Sequence, residues 1–124
     1  MNFAKSAQMN RISKSARKTK IKTVGEIAVI YLKEPREKMW GVLLEVSSSG
    51  VWFRGLELSA FEDFARQEAS KSDSLVVPNT LFFPYLRVEK IIIDENIGKF
   101  PSFKNKFKEI TGIDAIERLM ENEL

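Results

Sequence analysis

The sequence predicts an α+β protein: a small, strongly bent antiparallel sheet or barrel, with a helix inserted after the third strand and further helices at the C-terminal end. Three observations lead there. Between residues 27 and 58, runs of β-branched and aromatic residues alternate with short turn-forming clusters. At Ser59, and again after Pro101, the apolar spacing changes to the three-and-four rhythm of a helix. The first 25 residues carry no acid, and Gly25 with Glu26 marks where that segment stops.

The run IAVIYL (27–32) is the first strand, because β-branched side chains suit a pleated, half-buried surface. EPREK (34–38) is a charged connection containing Pro35. In WGVLLEV (40–46), Trp40, Val42, Leu44 and Val46 alternate onto one face, and Gly41 marks a bend or a close backbone approach. SSSG (47–50) has the residues of a tight turn, and VWFRGLEL (51–58) follows as a third strand bent at Gly55. Three strands joined by short turns make a strongly twisted meander.

Ser59 and Glu62 have capping-box spacing, and Leu58, Phe61, Phe64 and Ala65 form one apolar stripe, so a helix is expected over about 59–70. In LFFPYLRVEKIIIDE (81–95), Pro84 marks an edge, a bulge or the boundary between two strands. LRVEKIII is the last strand, with Ile91 to Ile93 expected to be buried on both faces. Pro101 and Ser102 open a helix bearing Phe103, Phe107 and Ile110 at i, i+4, i+7. Gly112 fits a left-handed C-cap with Ile113 as its apolar contact, and Asp114 with Glu117 opens a final helix. The expected organisation is a basic flexible arm (1–24), a small β-barrel domain (25–98) and a helical extension (99–124).

Composition narrows the chemistry. With no cysteine and no histidine, disulfides, the usual zinc ligand sets, thiolate nucleophiles and imidazole acid–base catalysis are excluded. No catalytic residue, metal site or cofactor is assigned, and a non-enzymatic protein is expected. The acidic pairs Glu62–Asp63 and Asp94–Glu95 would suit magnesium, but neighbouring side chains diverge, so they read as solvated charge. No apolar run reaches bilayer-spanning length, and a cytoplasmic protein without a membrane partner is expected. The N-terminal segment lacks the apolar stretch of a secretory signal; its basic, acid-free composition is also that of an organellar transit peptide.

Charge is the most informative compositional feature. The first 25 residues hold seven cations, leaving thirteen positive against seventeen negative charges on the rest of the chain. A basic arm on an acidic body can track a polyanion. Arg11, Lys14, Arg17, Lys18, Lys20 and Lys22 are its candidate contacts. On the sheet, Val51 and Phe53 facing inward would turn Trp52 and Arg54 outward together. Trp52 and Tyr85, with Arg54 and Arg87 adjacent, are the candidate stacking residues for single-stranded bases. Trp40, Phe53, Phe82 and Phe83 read as core.

The stretch from Ile27 to Leu58 resembles the first motif of the Sm-like family: the strand VIYLKEP, a glycine at Gly41, Leu43, and an apolar third strand after a short turn. LFFPYLRVEKII takes the place of the second motif, a short strand, a tight turn and a final strand ending on aliphatic residues. Serines at 47–49 replace the family's Asp and Asn, and its Arg-Gly is absent, so the likeness carries a fold and no binding residue. An SH3-like or similar small barrel remains the alternative. The resemblance implies RNA as ligand and a ring-shaped homo-oligomer. The competing expectation is a protein-interaction or assembly module docking through Phe103, Phe107 and Ile110.

Overall fold

The computed structural model describes residues 24–73 and 75–121. Five antiparallel strands form one sheet: β1 (Ile27–Leu32), β2 (Glu37–Val46), β3 (Gly50–Glu57), β4 (Asn79–Pro84) and β5 (Val88–Ile93). Their order is β4-β3-β2-β1-β5, so the last strand lies beside the first. A 3-10 turn (Leu58–Ala60) leads into helix α1 (Phe61–Ser70), and a second one (Tyr85–Arg87) joins β4 to β5. Helices α2 (Phe103–Thr111) and α3 (Ala115–Met120) complete the described chain.

The sheet is bent but is not closed into a barrel. β4 pairs with β3 and β5 with β1, and no ladder joins β4 to β5 among the described residues. β4 ends on Pro84, which has no N–H to donate, and the Tyr85 amide is engaged by the Ser49 carbonyl at 3.2 Å.

Two cores lie on opposite faces of this sheet. On one, Ile27, Val29, Trp40, Val42 and Leu56 meet Phe61, Phe64 and Ala65 of α1, Phe107 of α2, and Ala115 and Leu119 of α3. On the other, Ala28, Ile30, Leu32, Met39, Leu43, Val51, Phe53 and Phe83 pack without any helix. The period-two alternation of β1 therefore buries both of its faces. The C-terminal helices share a core with the sheet. Phe107 stacks on Phe64 at 5.5 Å between ring centroids, and only Ile110 of the expected docking stripe stays well exposed.

Four local expectations need correction. Ile91 to Ile93 are not buried on both faces: β5 is the outer strand beside β1, Ile92 is 40% exposed, and Ile91 and Ile93 are half-buried. The alternation in β2 does not reach Val46. Between Leu43 and Glu45 the register slips, so Leu44 and Glu45 together oppose Trp52, and Val46 then pairs with Val51 of the other face. The Ser59–Glu62 capping box does not form: the 3-10 turn displaces the N-cap of α1 to Ala60, and the Ser59 hydroxyl donates to Glu57 at 3.5 Å. Asp94 is not solvated. It is buried, and the indole N–H of Trp40 reaches its Oδ2 at 3.1 Å, while the amides of Phe103 and Lys104 reach its two oxygens at 2.9 and 2.8 Å. Ser102 Oγ takes the Asn105 amide at 3.1 Å, so the first turn of α2 is fully satisfied.

Candidate functional site

The sheet face that carries the helices is left uncovered towards β4. There Trp52 lies opposite Phe82 on the neighbouring strand, with ring centroids 5.1 Å apart. They are 42% and 37% exposed, whereas Trp40 and Phe53 are sealed in the two cores. The alternation of β3 explains this placement: Val51 and Phe53 point into the helix-free core and turn Trp52 and Arg54 to the other side, as the sequence suggested. Phe82, read from sequence as core, is the missed half of the pair. It sits at the edge strand, one position out of phase with buried Phe83. Alternation along LFFP was the signal that could have found it.

The other sequence-derived candidates serve different ends of the molecule. Arg54 faces outward beside Trp52, but its guanidinium bonds the carbonyls of Leu119 and Glu121, the latter at 3.1 Å, and reaches Thr80 Oγ1 at 3.3 Å. It ties the C-terminus of α3 to β3, where a cation also complements the helix dipole. Tyr85 is 41% exposed and donates its hydroxyl to the Ser47 carbonyl, holding the β2–β3 turn. Arg87 donates to the Glu34 carbonyl at 2.7 Å and pairs with Glu37 at 3.8 Å, so it belongs to the β1–β2 turn. The structure brings Trp52 and Arg54 onto one face and does not gather the four into one cluster. The arm residues Arg11, Lys14, Arg17, Lys18, Lys20 and Lys22 lie outside the described residues.

Among the described residues no group of three or more carboxylate, histidine or cysteine side chains is placed to hold a metal ion. Asp63 of the other acidic pair bonds Arg66 at 3.0 Å on the exposed side of α1. The half-buried carboxylate Glu68 pairs with buried Arg118, whose guanidinium also lies 5.3 Å from the Phe64 ring centroid. These acids fasten helices. No helix among the described residues is long and apolar enough to cross a membrane.

Fold and surface together define a β-rich α+β protein with one exposed aromatic pair on a sheet face. Compared with protein-family models, curated proteins and solved structures, the chain matches none.

Proposed function

We propose that the protein is a non-enzymatic module for single-stranded RNA or a comparable polyanion. In this reading the cations of the N-terminal arm supply the electrostatic affinity, and Trp52 with Phe82 supplies a stacking surface. One observation carries it: two adjacent aromatic rings stand exposed on a sheet whose other large rings are packed or bonded. Every base has a π-face, so such a platform tolerates any sequence. The Sm-like resemblance, cytoplasmic location and oligomeric assembly belong to this same proposal.

The test is a titration of fluorescently labelled single-stranded RNA at several salt concentrations. It compares the full chain with a version carrying glutamine at the six arm cations and with Trp52→Ala. Engagement of all six cations gives a log–log salt slope of roughly −4, lost in the glutamine version, and Trp52→Ala weakens what remains. Absence of salt-dependent binding by the full chain overturns the reading.

A protein-interaction role is the second reading, favoured by Glu45, which lies opposite Trp52 and repels phosphate. An apolar or basic peptide that binds the full chain and is lost on Trp52→Ala, with no RNA bound, would select it.

A further inference from the structure

At the end of the helix-bearing face remote from Trp52, three neighbouring strands place Lys38, Tyr31 and Lys90 side by side. Tyr31 of β1 lies opposite Lys38 of β2 on one side and Lys90 of β5 on the other. Both ammonium groups lie against the one phenol ring, 4.9 and 4.6 Å from its centroid. The two charges are therefore no further apart than about 10 Å, roughly one Debye length at 0.1 M salt. Tyr31 is half-buried against the helix-side core, which fixes the ring, while both lysines are exposed.

No carboxylate answers these cations. Among the described residues neither Lys38 nor Lys90 forms an ion pair. Beside Lys38 a cleft of about 420 Å³ is lined by Arg36, Glu37, Lys38, Glu57, Leu58 and Ser59. Of its two acids, Glu37 pairs with Arg87, while Glu57 accepts only from the neutral Ser59 hydroxyl and keeps its charge, so the anion site lies on the Tyr31 side of Lys38, away from Glu57. Arg36 adds a third cation to the rim. A row built for stability alone would set an opposite charge across from a lysine. Here one ring gathers two ammonium groups by cation–π attraction, which holds both in place while leaving their N–H donors open to an outside anion.

We propose that Lys38, Tyr31 and Lys90 form a phosphate-binding site on the folded body. A phosphate chain fits because its successive acceptor oxygens can meet two separate ammonium donors held over one ring. The proposal rests on the RNA reading only for what carries the phosphate, a nucleic-acid backbone rather than a free polyphosphate.

The test uses the full chain with all seven arm cations, Lys5 included, changed to glutamine, so that no arm lysine or arginine contributes, and inorganic tripolyphosphate as the probe in a calorimetric titration. Binding is expected in this background. It falls at least tenfold in Lys38→Gln/Lys90→Gln and returns in Lys38→Arg/Lys90→Arg, with an unchanged thermal midpoint throughout. No binding in the background, or equal affinity after the glutamine substitutions, overturns the site. Labelled RNA then distinguishes the sources. If the backbone is the carrier, Lys38→Gln/Lys90→Gln in the otherwise unaltered chain flattens the salt slope by roughly 1.4. Tripolyphosphate binding without any effect on RNA upholds the phosphate site and makes free polyphosphate its ligand. Failure of the unaltered chain to bind RNA removes the RNA reading and leaves the site standing.

Discussion

The indole N–H of Trp40 donates to Oδ2 of Asp94 across 54 residues of sequence, at 3.1 Å. The same carboxylate holds the first two amides of α2, and the Asp94 amide itself donates to the Ile27 carbonyl at 2.9 Å. One side chain just beyond β5 thus fixes where the central tryptophan sits and where the C-terminal helices begin.

Asp94→Ala leaves a buried indole N–H and two helix amides without their acceptor. A loss of about 3 kcal/mol or more is expected, since each unsatisfied buried donor costs about 1–3 kcal/mol. Asp94→Asn keeps one acceptor oxygen and loses about half as much. Urea denaturation followed by tryptophan fluorescence checks both; equal stability of Asp94→Ala and the unaltered protein would refute the role.

Gly41 and Gly55 are opposite one another on β2 and β3, with no room for a side chain at either position. A Cβ on Gly55 would lie 2.7 Å from the Gly41 Cα and 2.9 Å from Phe53 Cε2. Gly55→Ala therefore collides with backbone, and a loss of about 3 kcal/mol is expected. Gly112→Ala meets open space but must hold φ at +74°, for a loss of about 1 kcal/mol. Thermal midpoints of the two variants should differ in that order.

Arg54 is expected to act on stability rather than on ligand affinity. Arg54→Met removes the donors to α3 and costs about 1–2 kcal/mol. Lysine cannot restore them, because one ammonium cannot span carbonyls that the guanidinium fork reaches together. Denaturation and RNA titration of Arg54→Met and Arg54→Lys check this; a loss of affinity without loss of stability would return Arg54 to the binding surface.

Trp52→Ala and Trp40→Ala should separate binding from folding. Trp40 is sealed in the core, and its truncation costs about 3–5 kcal/mol. Half-exposed Trp52 costs under about 1 kcal/mol, yet loses about tenfold in RNA affinity if one base stacks there, at about 1–3 kcal/mol per base. Paired denaturation and binding curves give the comparison.

What could be read from the sequence was what depends on near neighbours. IAVIYL, the Ser47–Gly50 turn, the Ser102 and Asp114 caps and the left-handed Gly112 all depend on a few adjacent residues, and all appear in the structure. The outward turn of Trp52 followed from strand periodicity alone. Partners distant in sequence were not legible. Asp94 resembled a solvated charge because nothing beside it announces Trp40, and Arg54 resembled a free cation because its acceptors lie 65 and 67 residues downstream. The bulge at Leu44 left no mark either, since either neighbour could have held the ladder. The row of Lys38, Tyr31 and Lys90 exists only once β5 is placed beside β1.

That placement has a consequence for how the protein is made. β1 stays an unpaired edge on one side until β5 emerges from the ribosome, some 60 residues later. The segment that finishes the sheet is also followed at once by the residue that anchors α2. A pairing of such long sequence separation forms after the local hairpins, because its loop-closure entropy must be met before its contacts reward it. During synthesis the meander must wait with Ala28 and Ile30 incompletely covered, so the nascent chain is most vulnerable to aggregation just before β5 emerges.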